Sequence, residues 1–128
     1  MRPLEDVLAG EVAALLRAGT TPRALRLTVR EVVAERLVAA PPGPRAVSEA
    51  AGAAARAACR LVRQLGAPEH VVEAVCRAAL EAVRGHGGES SRWLADATGA
   101  VFEALDELAR ERAEEPAWRW LSRRLERW

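Results

Sequence analysis

The residue types best suited to binding a metal ion are two cysteines and two histidines: Cys59, His70, Cys76 and His86. On a helix, a separation of six residues places His70 and Cys76 about 120° apart, so their side chains diverge. Free cysteines are commonly small core residues. The spacing therefore predicts no metal site, and we expect no bound cofactor.

Residues that could catalyse a reaction are present, but their spacing does not match a known catalytic arrangement. The glycine-rich stretch 85–88, GHGG, is followed by Glu89 instead of the lysine and hydroxyl residue of a phosphate-binding loop. The acidic pairs Glu103/Glu107 and Glu107/Glu111 lack histidines in matching register, so they indicate a solvated helix face. We therefore expect a non-enzymatic protein with no small-molecule substrate.

Three arginines follow a glycine turn at a spacing that suits phosphate contacts. Arg23, Arg26 and Arg30 fall within about 60° of one another on a helix. They lie in or next to residues 15–29, LLRAGTTPRALRLTV, whose order of helix, turn and helix resembles a helix-turn-helix. Within this segment, TPRALR resembles the start of the recognition helix in MerR-type regulators. The resemblance implies nucleic-acid contact through these arginines, as does a looser alternative, a backbone-gripping small subunit of a nucleoprotein assembly.

The last thirteen residues, 116–128 (PAWRWLSRRLERW), hold three of the four tryptophans and four arginines. A helical period places the apolar residues of this segment on one stripe, while Trp120 falls among the arginines. Tryptophan and arginine are enriched where proteins bind partners. Packing on the chain's own bundle is the alternative, and binding to a membrane surface is the least favoured. The residues predicted to bind a partner are Trp118, Trp120, Arg124 and Trp128.

Prolines and glycines divide the chain into the elements that must position these residues. Prolines stand where helices can begin, and Gly19, Gly66 and Gly85 stand where helices can end. Apolar residues recur between them with a helical period. The predicted helices span residues 3–18, 22–39, 45–65, 69–84 and 91–114, with a sixth over 116–128.

This pattern predicts an all-α fold, a compact bundle of five to six short helices forming a single domain over 1–128. Residues 3–39 would form an N-terminal helical hairpin, 40–46 a proline-rich spacer and 47–128 the main bundle. The third helix carries an alanine-rich stripe, which suits close helix contact within the monomer or between copies. The members of this stripe are Val47, Ala51, Ala54, Ala58, Leu61 and Leu65.

Composition limits the classes of function that remain. The formal net charge is +1, so there is no overall attraction to nucleic acid or anionic lipid. The sequence contains no Lys, Asn, Ile or Tyr, which indicates a GC-rich gene, and arginine is then the default cation. Residues 96–115 hold seven acids and two arginines, whereas 117–128 hold four arginines and one acid. These two segments could pair with each other or present different faces to partners.

No apolar run is long enough to span a membrane, and acids interrupt the N-terminal apolar residues, so we expect no secretory signal. Two cysteines do not make a disulfide framework, which favours a cytoplasmic protein with reduced thiols. We expect a scaffold or accessory subunit that self-associates or docks to a larger protein. Its expected contact surfaces are the C-terminal helix and the alanine-rich stripe of the third helix.

Overall fold

The computed structural model of the chain describes residues 2–40, 43–87 and 91–111. These residues fold into a compact all-α bundle, as predicted, and contain no β-strand. The helices of the described ranges are α1 (Leu4–Ala18), α2 (Pro22–Ala39), α3 (Pro44–Leu65), α4 (Glu69–Gly87) and α5 (Ser91–Glu111). The predicted sixth helix, 116–128, lies outside the described residues.

Helix starts and ends follow the proline and glycine signals closely. The hydroxyl of Thr21 caps α2 by accepting a hydrogen bond from the backbone N–H of Ala24, at 3.2 Å. Gly19 and Gly66 follow α1 and α3 with φ angles of 77° and 64°. This left-handed conformation favours glycine, and it lets the backbone N–H groups satisfy the last helical carbonyls.

One predicted helix end is wrong. We expected the fourth helix to stop at about residue 84, before Gly85, but α4 continues to Gly87. A helix tolerates an internal glycine at a cost of about 1 kcal/mol relative to alanine. The glycine at 85 therefore did not have to be a stop signal.

The third helix, α3, lies at the centre of the bundle and makes its most extensive contact with α5. The thiol of Cys59 contacts the carbonyl of Ala104 at 3.7 Å, and Arg63 reaches Glu111 one to two turns further along both helices. The two helices therefore run in the same direction, and α4 connects the end of α3 to the start of α5.

The alanine-rich stripe of α3 is buried inside the chain, which corrects our expectation that it forms a contact surface. Val47, Ala51, Ala54 and Ala58 each have no solvent exposure. Small side chains let α1, α4 and α5 approach α3 closely, so the stripe is covered by the chain itself. Leu65, the last stripe residue, is 49% exposed because it lies at the end of α3.

One hydrophobic core includes residues of all five described helices. The first helix packs more extensively on α3 than on α2, and α2 packs mainly on α4. Within the described ranges the core contains no buried polar residue. None of the helices in these ranges has both the length and the apolar character needed to cross a bilayer.

Candidate functional site

The predicted arginine row of α2 lies against α4. Because α2 begins at Pro22, the spacing of three and four residues places Arg23, Arg26 and Arg30 on one side of it. All three line an open pocket of about 580 Å³, together with Pro22, Leu27 and Glu81 of α4.

The carboxylate of Glu81 holds two of these arginines. Arg26 donates a hydrogen bond from Nη2 to Oε1 of Glu81, and Nη1 of Arg30 lies 3.5 Å from Oε2. The Glu81 side chain is 20% exposed, so this contact is partly shielded from water. Nε of Arg26 is buried and has no hydrogen-bond partner among the described residues. The cluster thus combines fixed guanidinium groups with unused hydrogen-bond donors.

A second set of ion pairs joins the start of α1 to the exposed edge of α3. Nε of Arg56 lies 2.9 Å from Glu5, and Nη1 of Arg60 lies 2.6 Å from Asp6. Arg60 also lies 3.8 Å from Glu5. These side chains are partly exposed, and surface ion pairs contribute about 0–1 kcal/mol each, so their main effect is to orient α1 on α3.

At the other end of α3, Arg63 binds Glu111 of α5 through two hydrogen bonds. Nε and Nη2 lie 2.7 and 2.8 Å from the two carboxylate oxygens. These hydrogen bonds raise the pKa of Arg63 above its usual value. The acidic segment 96–115 was expected either to pair with the arginines of 117–128 or to face a partner, and one of its acids, Glu111, binds Arg63 of α3.

The two cysteines are free and buried. Burial raises the pKa of Cys59 from 9.0 to about 11. Burial raises the pKa of Cys76 as well, and the nearby thiol of Cys59 adds to this rise. Both groups are therefore neutral thiols at physiological pH, which is not the state of a nucleophile. Among the described residues, no three His, Cys, Asp or Glu side chains are grouped as metal ligands.

An open groove of about 880 Å³ lies where the start of α1, the end of α2 and the start of α3 meet. Leu4, Leu37 and Ala50 form part of its apolar floor. The charged side chains that line this groove already have partners. Glu5 and Asp6 bind Arg56 and Arg60, as described above. Arg45 binds Glu49 at 3.1 Å, and Arg36 donates to the backbone carbonyl of Arg2 at 3.0 Å.

The fifth helix presents an acidic face to solvent. Its acidic members, Asp96, Glu103, Asp106 and Glu107, are exposed and fall within about 100° of one another around the helix. The exposed Arg92 and Arg110 lie in the same sector, so four acids against two arginines leave this face with a net negative charge. None of the four forms an ion pair with another described residue. We call this surface the α5 acidic face.

The structure brings together only one of the two predicted sets of site residues. Arg23, Arg26 and Arg30 line one pocket, whereas the predicted partner-binding residues Trp118, Trp120, Arg124 and Trp128 lie outside the described residues. Sequence reasoning missed Glu81, which stands 55 positions after Arg26. No local pattern could have indicated it, because the contact depends on how α2 packs on α4.

No known family model matches the chain, and neither the curated proteins nor the solved structures include a match to it.

Proposed function

We propose that the protein is a non-enzymatic accessory subunit or scaffold that acts by binding a second copy of itself or a larger protein. The observation that carries the proposal is the α5 acidic face. The ion-paired acids described above lie on α1, α3 and α4 or at the end of α5, but the four carboxylates of this face remain exposed. An exposed face with a net charge favours and orients association with a surface of opposite net charge.

The sequence that follows α5 supplies a second contact surface in this proposal. Residues 117–128 carry four arginines and one acid, together with three tryptophans. We propose that Trp118, Trp120, Arg124 and Trp128 contribute most of the binding energy, since Trp and Arg dominate binding hot spots. The α5 acidic face would then orient the partner and increase the rate of association.

The state of the candidate chemical groups supports a role in binding. Both thiols are held in the neutral form by burial. The carboxylate of the arginine cluster, Glu81, is held by two guanidinium groups. Reduced, buried thiols also suit the cytoplasm, which we propose as the location of the protein.

The experiment that tests the proposal is light scattering after size-exclusion chromatography, over a range of protein concentrations. We expect a species larger than the monomer, or co-purification with a partner. The expected effect of Trp120→Ala or Trp128→Ala is to reduce the fraction of that species. A hot-spot tryptophan contributes about 2 kcal/mol or more, which corresponds to a change of at least about 30-fold in the dissociation constant.

Charge reversal tests the contribution of the α5 acidic face in the same experiment. We expect Glu103→Arg with Asp106→Arg to weaken association and to change its salt dependence. Glu11→Arg with Glu35→Arg reverses two exposed acids on α1 and α2, so it is the matched control and should have little effect. A strictly monomeric protein, whose Trp120→Ala and Trp128→Ala variants keep every interaction, would contradict the proposal.

The alternative function is nucleic-acid binding through Arg23, Arg26 and Arg30. The observation in its favour is that all three line one open pocket. It predicts salt-dependent binding to DNA or RNA that is weakened by Arg23→Ala and Arg26→Ala. The absence of binding at low salt would exclude this class.

A further inference from the structure

The pocket between α2 and α4 has the charge and shape of an anion site. Three arginines against one glutamate leave an excess of two positive charges on a concave surface of about 580 Å³. Arginine suits phosphate groups because its planar guanidinium presents several donors that bind two oxygens at once. A free-standing arginine would first have to be ordered, at a cost in side-chain entropy.

Two of the three arginines are already ordered. Glu81 binds both Arg26 and Arg30, and this shared carboxylate holds the two guanidinium groups near each other. Each guanidinium has five N–H donors, and one carboxylate cannot use them all. Nε of Arg26 is buried, so the donors that a ligand in the open pocket can reach are the Nη groups. A ligand oxygen would therefore meet Nη donors whose ordering cost is partly offset by their contact with Glu81.

The remaining lining residues add one unpaired charge and an apolar wall. Arg23 is exposed and forms no ion pair within the described ranges. Leu27 is 44% exposed, one of the few large apolar side chains in the described ranges that face water, and Pro22 lines the same pocket. An anion alone would leave this apolar surface uncovered.

We propose that this pocket binds the phosphate group of a small phosphomonoester, which the guanidinium groups of Arg23, Arg26 and Arg30 contact while Leu27 and Pro22 contact the apolar part of the ligand. This binding site goes beyond the proposed association function, since it lies on α2 and α4 and involves neither α5 nor residues 112–128. Binding replaces part of the Glu81 contact with charge-assisted hydrogen bonds to phosphate oxygens.

The charges further along α2 favour a small ligand over a nucleic-acid backbone. Glu31 and Glu35 are exposed in the two turns that follow Arg30. They lie on the flank of the helix that also carries Leu27. A polyanion that continued along α2 beyond Arg30 would approach these carboxylates, and like charges disfavour such a path. A single phosphate avoids them.

The test is isothermal titration calorimetry of the full chain at low salt with phenyl phosphate and with inorganic phosphate. We expect saturable binding of phenyl phosphate that is tighter than that of inorganic phosphate, because only the ester has an apolar group. Leu27→Ala should remove most of this preference. Arg23→Gln should weaken both ligands by about tenfold or more, the usual effect of losing a charge-assisted hydrogen bond.

Two further variants make the result specific. Arg45→Gln is the matched control, because Arg45 follows Pro44 at the start of α3 as Arg23 follows Pro22 at the start of α2, and it is likewise exposed. This control should bind phenyl phosphate as the unmodified chain does. Glu81→Gln keeps an amide oxygen that can accept the hydrogen bond from Arg26, so the guanidinium groups stay in place, but it removes one negative charge that competes with the phosphate. It should therefore tighten binding by about fivefold, the effect of one charge at roughly 4 Å in water.

The proposal is overturned by any of four results. These are no saturable binding of phenyl phosphate, an equal loss in Arg45→Gln and Arg23→Gln, weaker binding in Glu81→Gln, or no preference for the ester over inorganic phosphate. An oligonucleotide that binds through Arg23 while phenyl phosphate does not would assign the pocket to nucleic acid instead. Circular dichroism of each variant distinguishes lost binding from lost folding.

Discussion

Cys59 and Cys76 are the only side chains of this protein expected to titrate between the range of histidine and that of arginine, because the chain contains neither lysine nor tyrosine. Burial keeps both thiols protonated in the folded state, and it raises the pKa of Cys59 from 9.0 to about 11. The alkaline pH range therefore reports on two core positions alone.

We expect the free energy of unfolding to fall as the pH rises from 9 to 11. Above pH 9 an unfolded chain loses the thiol proton while the folded chain keeps it, so the unfolded state becomes favoured. For Cys59 the expected loss is about 2–3 kcal/mol across this range, and Cys76 adds to it in the same direction. Urea unfolding at several pH values, followed by circular dichroism, measures this loss.

The double variant Cys59→Ala, Cys76→Ala is the control for this prediction. It is expected to be less stable at every pH, but its stability should be nearly level between pH 9 and 11. A slope that persists without the thiols would contradict the assigned cause. In the folded chain, both thiols should react with a thiol reagent only after denaturant is added.

At the scale of single residues, the sequence predicted which side chains share a helix face better than it predicted which side chains they contact on other helices. The spacing of Arg23, Arg26 and Arg30 predicted a shared side of α2, and the structure places all three at one pocket. The same spacing could not reveal Glu81, because that contact depends on the packing of α2 on α4. Partner-binding by the C-terminal tryptophans stays a prediction.

At the scale of helices, α3 depends on the small size of its side chains. A Cβ atom built at Gly52 would lie 3.6 Å from the Cβ of Ala100 on α5 and 3.0 Å from Nη1 of Arg56. By contrast, a Cβ built at Gly99 of α5 meets no atom within 4 Å. Two glycines inside helices therefore face opposite surroundings, one closely packed and one open.

The same substitution at these two glycines should have opposite effects on stability. Gly99→Leu replaces a poor helix former at an open position, so we expect a gain of about 0.5–1 kcal/mol. Gly52→Leu inserts a large side chain where α3 and α5 meet, so we expect a loss of about 1–3 kcal/mol. Urea unfolding at neutral pH measures both. A gain for Gly52→Leu would show that α5 can move away from α3 at little cost.

Helix boundaries were largely predictable because prolines and glycines act locally. Thr21, Pro22 and Gly66 fix the start of α2 and the end of α3 through their own backbone preferences. The alanine-rich stripe was harder, because a face of small residues suits contact within one chain and contact between copies equally well. Only the packing of α1, α4 and α5 on α3 distinguishes these alternatives.

At the scale of the whole molecule, the described helices share one hydrophobic core instead of separating into a hairpin and a bundle with their own interiors. The first helix packs on α3 and the second on α4, so both N-terminal helices depend on the residues beyond the proline-rich spacer. Such coupling favours unfolding as one unit.

We expect one cooperative thermal transition, which core substitutions in different helices shift in the same way. Leu37→Ala in α2 and Leu105→Ala in α5 should each cost about 2–5 kcal/mol, because both side chains are 1% exposed. Leu65→Ala, at a position that is 49% exposed, should cost much less. Calorimetry measures the shifts. Two transitions, each moved by only one of the core variants, would show that the N-terminal hairpin folds separately.

The buried alanines of α3 also affect how the gene can change. Seven alanines of this helix are buried. Every single-base change of an alanine codon that alters the residue gives valine, threonine, serine, proline, aspartate, glutamate or glycine. The first six are bulkier or disrupt the helix, and glycine weakens it. A single nucleotide change at these codons therefore gives a residue that fits the core less well. We expect the amino-acid sequence of α3 to change more slowly in evolution than the exposed positions of α5.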